Sequence, residues 1–186
     1  MTQSKYVTVD GLTLTGAKKD ESDFKRPMLK FGFYENRPRF SVYKNVSKPI
    51  TSEDFRANIL NFPIDVNALG ILAEKCEEMI ASDKDDSFDV LSEETIFDQE
   101  TRQPTKEKRQ LGTLTIRKEK GVFSITVSYP AGGTVEFPLD MPFRNKFYAH
   151  GNAFNPSMVS RLYLKSWVKS LKGVCDQKQL QGAFRG

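Results

Sequence analysis

Few residues in this chain of 186 could make or break a covalent bond. It has one histidine, His150, and two cysteines, Cys76 and Cys175, far apart in the sequence. A single imidazole leaves no His-based metal cage and removes most His-assisted nucleophile arrangements, and two distant thiols do not complete a zinc site. No GxxxxGK(S/T) phosphate loop occurs, and no GxGxxG follows a candidate strand. Carboxylates remain. Asp85-Asp86 and Glu93-Glu94 lie in a charge run whose default state is solvated. Asp65 and Asp140, each at the end of a candidate strand, are the first candidates for scattered magnesium ligands in a nuclease. Helix caps and turns use the same residue type at such places. The expectation is a non-enzyme with no catalytic residue, no metal and no cofactor.

The stronger chemistry is non-covalent. Around residues 29–45, apolar and polar residues alternate, so that Leu29, Phe31, Phe33, Phe40 and Val42 share one face of a strand pair. Lys30, Tyr34, Arg39, Ser41 and Tyr43 share the other. Arg37 and Lys44 extend the basic edge. Bases stack on tyrosine rings for about 1–3 kcal/mol each, while Lys and Arg meet phosphates, so this face suits a single strand of nucleic acid. A strand that only needs to stay soluble at an edge has a similar composition. A second aromatic and basic cluster runs from Phe143 to Phe154. Arg144, Lys146 and Tyr148 are its expected outward residues, and Phe143, Phe147 and Phe154 either clamp a strand or anchor the loop to the core.

The elements that must position these residues repeat. At an offset of 83, Phe31 falls on Leu114, Phe33 on Ile116, Phe40 on Phe123, Ser41 on Ser124 and Val42 on Ile125. Each copy is a hairpin with a charged turn, Glu35-Asn36-Arg37-Pro38 in the first and Lys118-Glu119-Lys120-Gly121 in the second. Asn61-Phe62-Pro63-Ile64-Asp65 resembles Glu136-Phe137-Pro138-Leu139-Asp140, and in each the proline marks a strand end. A helix follows each. Leu69, Leu72, Cys76, Met79 and Ile80 space out the first; Asn155-Pro156 opens the second, which runs to Gly173. An extra strand leads each half, Tyr6 to Leu14 in one and Glu94 to Asp98 in the other. The expected class is α+β, with antiparallel sheets from two hairpin–strand–helix units. One domain, 1–186, would hold half-units 6–82 and 94–173, an acidic connector 83–110 and a flexible tail 174–186. The second hairpin's outward set, Thr113, Thr115, Arg117, Ser124 and Thr126, lacks aromatics, and Arg117 is its one candidate contact.

Charge is uneven. Lys and Arg number 28 against 24 acids, a net charge of +4. Residues 83–100 hold eight acids and one base, which leaves the rest of the chain at +11. The second helix carries Arg161, Lys165, Lys169 and Lys172, a stripe that could follow a phosphate backbone or simply complement the helix C-terminus. No apolar run is long enough to span a membrane. The first residues lack the layout of a signal peptide, so a cytoplasmic protein with reduced thiols is expected.

LKFGFYENRPRFSVYKN, the following ILNFPIDVNALGILAEKCEEMI and the overall size resemble phage-type single-stranded DNA-binding proteins. The resemblance implies one of two folds, the duplicated sheet-plus-helix unit of PUR and whirly proteins or a five-stranded OB barrel with an added C-terminal helix. It implies sequence-tolerant binding of single-stranded DNA in replication or recombination, inside a host cytoplasm if viral, with no membrane. RNA is a close variant. A homo-oligomer and replication or recombination proteins are the accompanying partners. The final segment, CDQKQLQGAFRG, is not the acidic tail common in such proteins, a role that the acidic run 83–100 could fill internally. The competing reading is a protein-interaction module, such as a small inhibitor of a host enzyme, or an RNA-binding regulator.

Overall fold

A computed structural model describes residues 6–16, 26–34, 37–44, 59–130, 133–140 and 146–183. In chain order the first half runs β1 (Tyr6–Thr15), β2 (Met28–Tyr34), β3 (Arg37–Tyr43), β4 (Ile59–Pro63) and α1 (Val66–Ala81). The second runs β5 (Asp86–Phe97), β6 (Pro104–Glu119), β7 (Val122–Tyr129) and β8 (Gly133–Pro138). A small hairpin, β9 (Tyr148–Ala149) and β10 (Asn152–Ala153), then precedes α2 (Pro156–Ala183). Sheet 1 has the order β1-β2-β3-β4 and sheet 2 the order β5-β6-β7-β8, with every neighbour antiparallel. The α+β class therefore holds, as four strands and a helix, twice. Among the described residues the strands form open meanders, and no five-stranded barrel closes.

The repeat is real in pattern, but its register differs from the sequence match. Tyr34 pairs with Arg37 and Glu119 with Val122, so the two hairpins correspond at 85 residues, as from Tyr34 to Glu119, not at 83. A slide of two residues leaves every side chain on its original face, which is why the apolar match was indifferent to it. The second turn is Lys120-Gly121, with φ of 50° and 76°, the doubly positive pair whose twist suits a two-residue hairpin. Equivalent bonds lock the last strands: Ile64 N–H donates to Pro38 O at 3.2 Å, and Leu139 N–H to Phe123 O at 3.0 Å.

Two boundaries change. The expected connector 83–110 is mostly strand, because β5 starts at Asp86 rather than Glu94 and pairs with β6 from Phe97↔Pro104 to Asp86↔Lys118. Its acids did not break the strand because β6 sets cations beside them. Second, α2 continues past Gly173 through most of the expected tail, to Ala183. Leu164, Trp167, Val168, Leu171 and Cys175 prolong one buried stripe, and a Cβ on Gly173 would touch nothing. Both cysteines are free and buried.

One apolar core joins both sheets and both helices. Trp167 of α2 stacks on Phe40 of sheet 1, with centroids 6.0 Å apart, and donates its indole N–H to Leu12 O at 3.3 Å. Seven residues earlier, Ser160 Oγ accepts from Phe123 N–H at 2.7 Å and donates to Phe123 O, so α2 is tied to sheet 2 as well. The end of α1 in turn rests on sheet 2. Lys118, 7% exposed, donates to Met79 O at 3.4 Å and to Ser82 O, and its ammonium lies 5.5 Å from the Phe123 ring centroid. A buried cation is tolerable there because the carbonyl end of a helix carries partial negative charge. Among the described residues no helix is long and apolar enough to cross a membrane.

Candidate nucleic-acid interface

Sheet 1 turns Phe31, Phe40, Val42 and Phe62 into the core, so strand alternation sends a second set of residues to its other face. The β2–β3 register orders that set into four levels: Tyr34 opposite Arg37, Gly32 opposite Arg39, Lys30 opposite Ser41, and Met28 opposite Tyr43. Each central cation thus faces a small residue and leans diagonally onto a ring. The Arg39 guanidinium carbon lies 4.4 Å from the Tyr34 centroid, and Lys30 Nζ lies 5.2 Å from that of Tyr43. Such diagonal neighbours are within reach of long side chains, and a cation over an aromatic face is attracted to its quadrupole. The two pairs are related by a local two-fold axis between β2 and β3.

Gly32 and Ser41 form a buried floor between the cations. Ser41 Oγ donates to Asn61 Oδ1 of β4 at 3.0 Å, which extends the polar surface across a third strand. Arg37 is exposed, Tyr34 is 36% exposed, and Lys30, Arg39, Tyr43 and Lys44 are half-buried. Arg39 Nε is buried with no hydrogen-bond partner among the described residues, a donor already desolvated. The ammonium of Lys44 lies 3.2 Å from where a Cβ on Gly133 would stand, at the start of β8. Six expected contacts, Lys30, Tyr34, Arg37, Arg39, Tyr43 and Lys44, therefore belong to one hairpin and its end. The sequence reading missed Gly32, the second floor residue, and Asn61. Pairing the hairpin about Glu35-Asn36 would have revealed both small residues opposite the cations.

The other expected contacts lie elsewhere. Arg117 is exposed on sheet 2 between Ser87 and Ser124, on a face where Thr115 Oγ1 donates to Asp89 Oδ1 at 2.6 Å. Lys146 and Tyr148 are exposed at the β9–β10 hairpin, whose turn is His150-Gly151, with φ of 51° and 81°. Phe147 and Phe154 stack on each other at 6.1 Å, and Phe147 is 48% exposed, so together they clasp the base of this hairpin. Arg144 and Phe143 lie outside the described residues. In α2 the cationic stripe divides: Arg161, Lys165 and Lys169 are exposed, while Lys172 is bound to Glu74 at 2.8 Å and Glu77 at 2.6 Å of α1. Those hydrogen bonds raise the Lys172 pKa above the ordinary lysine value.

Beyond sheet 2, β5 and β6 continue together as a two-stranded arm. Glu93 pairs with Lys108 at 3.5 Å and Glu94 with Arg109. At its tip the Asp98 carboxylate accepts from Thr101 N–H, Thr101 Oγ1 and Glu100 N–H, which holds its pKa below the usual carboxylate range. These acids have local partners, unlike those of a free acidic tail. Leu91, Ile96 and Phe97 are exposed along the same arm. Among the described residues no group of three or more His, Cys, Asp or Glu is placed to hold a metal ion. Burial pushes the Cys76 thiol up to about 12 and also raises Cys175, which makes both poor nucleophiles. No protein-family model matches the chain, and neither does any curated protein or solved structure.

Proposed function

We propose that this protein binds single-stranded nucleic acid, DNA in the first instance, on the outward face of sheet 1 and with little sequence preference. The observation that supports this most is the pair of cation–tyrosine contacts, Arg39 on Tyr34 and Lys30 on Tyr43, on one polar sheet face. Rings offer stacking to any base, and the cations offer charge to the phosphates beside it. In this reading the chain is a phage-type binder that protects strands during replication or recombination in the cytoplasm. It is not an enzyme and needs no cofactor. Twice-repeated four-strand-plus-helix units are the arrangement of PUR and whirly proteins, and the open sheets favour that class over an OB barrel. Arg37, Lys44 and Arg39 extend the phosphate path; Arg144, Lys146 and Tyr148 are secondary contacts, and Arg117, on sheet 2, lies outside it.

The test is a titration of labelled oligo(dT) of about 30 nucleotides at several salt concentrations, with duplex DNA and oligo(rU) as controls. Tight, salt-sensitive single-strand binding with weak duplex binding is expected. Equal affinity for duplex would reduce the face to a basic surface, and no binding at low salt would remove the proposal. Leu91, 55% exposed, and Phe97, 59% exposed, favour a second reading, a protein-docking module such as an inhibitor of a host enzyme. That reading predicts no loss of nucleic-acid affinity when the tyrosines are replaced.

A further inference from the structure

We infer that the sheet 1 hairpin holds two equivalent nucleotide subsites, bridged by one strand that can lie in either polarity. The inference rests on the single-strand reading above and adds the stoichiometry and direction of binding. Its ground is the register. Counting from the turn, the outward levels are ring, cation, cation, ring: Tyr34, Arg39, Lys30, Tyr43. Reading the hairpin from its other end repeats the order of ring and leaning cation, because Arg39 leans on Tyr34 as Lys30 leans on Tyr43, while the residues opposite the rings differ, Arg37 facing Tyr34 and Met28 facing Tyr43. Each ring with its cation matches one nucleotide, a base for the ring and a phosphate for the cation.

The spacing sets the ligand length. Tyr34 stands level with Arg37, and Tyr43 lies six residues further along β3, which is about 20 Å at the rise of a strand. A stacked single strand rises about 3.4 Å per nucleotide, so about six nucleotides bridge the rings, and fewer if the strand is extended. Between the rings, Gly32 and Ser41 lack bulk, while Lys30 and Arg39 carry the only positive charge on those two levels. The middle of the ligand is therefore held by its phosphates, and its bases are dispensable. A DNA strand has opposite chemistry at its two ends, but each end of the site offers a ring with a cation leaning on it, and Arg37, present at the Tyr34 end alone, meets a phosphate whichever end of the strand lies there. Polarity is consequently not fixed by this hairpin.

The experiment uses the full chain and an oligo(dT) series of two to about ten nucleotides. Affinity should climb steeply until the bridging length and then level, with a gain of about tenfold or more over the shortest ligands. Replacing the central nucleotides by abasic sites should change affinity less than about threefold, whereas abasic ends should abolish the gain. Tyr34→Ala and Tyr43→Ala should each remove the length threshold to a similar extent. For direction, 5-iododeoxyuridine is placed at the 5′ or the 3′ end of the bridging oligomer, and photocross-links are mapped by mass spectrometry. Each end should cross-link to both tyrosines in comparable yield. A 5′ label found at one tyrosine alone would overturn the either-polarity inference, and a smooth length dependence that the tyrosine variants leave unchanged would overturn the bridge. Failure of even the longest oligo(dT) to bind would instead overturn the single-strand reading itself, which keeps the two failures distinct.

Discussion

Sheet 1 and sheet 2 share strand order, hairpin geometry and the hydrogen bond that closes the last strand, yet their outward faces have almost nothing in common. At equivalent levels of the two hairpins, Lys30 becomes Thr115, Arg39 becomes Ser124, Tyr43 becomes Ser128 and Tyr34 becomes Glu119. The one base on the second face, Arg117, stands where the first has Gly32. The inward faces stay apolar in both, as Leu29 and Leu114, Phe31 and Ile116, and Phe62 and Phe137 show. Packing constrains only the inward half of a two-period strand, so the outward half is free to differ. That the rings and cations gather on one sheet, rather than scatter over both, is what singles out sheet 1 as the proposed binding face.

The hardest test of this contrast removes both rings. Tyr34→Ala with Tyr43→Ala should weaken oligo(dT) binding by about a hundredfold or more, since each stack is worth about 1–3 kcal/mol. A control change on the outward face of sheet 2, Thr115→Ala with Thr126→Ala, should leave the dissociation constant within about twofold. Fluorescence titration of both variants, with circular dichroism to check folding, decides it. Equal losses from the two sheets would erase the distinction.

The inward faces break symmetry once, and there the expected effect is on stability. Lys118 occupies the place of Phe33 because the carbonyl end of α1 lies over sheet 2. Lys118→Met keeps much of the volume but leaves the Met79 and Ser82 carbonyls without this donor, a cost of about 1–3 kcal/mol. Phe33→Met exchanges one apolar side chain for another and should cost less, under about 1.5 kcal/mol. Thermal unfolding of the pair tests the order. A Lys118→Met protein as stable as wild type would mean that the capping contact contributes nothing.

A finer measurement separates the faces by charge alone. Each phosphate contact on a single strand contributes about 0.7 to the slope of log affinity against log salt, so Lys30→Gln with Arg39→Gln should lower that slope by about 1.4. Arg117→Gln should leave it unchanged if sheet 2 stays clear of the strand. A drop caused by Arg117→Gln would extend the interface onto the second sheet.

Much of this frame was legible because alternation and helical spacing are local signals. Leu29, Phe31, Phe33, Phe40 and Val42 all fall on the expected core face, and Leu69, Leu72, Cys76 and Met79 line the expected side of α1. The register was not legible. Turn chemistry, not apolar pattern, decides between offsets of 83 and 85, and the doubly positive Lys120-Gly121 turn won. The arm was hidden for a related reason. A run of acids reads as a loop until the basic strand that pairs with it, through Lys108 and Arg109, is placed beside it. At the candidate site the residue types were legible, but the leaning of Arg39 on Tyr34 depends on which residues face each other across the hairpin. Lys118 gave no sequence signal, since its partners belong to the other half.

The smallest expected effect concerns the turn that fixes the second register. Asp85 accepts from Lys120 N–H at 2.9 Å and from Gly121 N–H at 3.4 Å, and these bonds, with the Lys118 and Lys120 charges, hold its carboxyl below the ordinary range. A carboxyl whose folded pKa is depressed adds stability that is present above its unfolded value, near 3.9, and is lost as pH falls through the folded value. Asp85→Asn keeps an acceptor oxygen but carries no charge. The variant should therefore melt slightly below wild type at about pH 6, and the two should converge as pH approaches about 2. A gap that stays constant over this range would remove the carboxylate charge as the cause, and the turn would then owe its register to the backbone conformation of Lys120 and Gly121 alone.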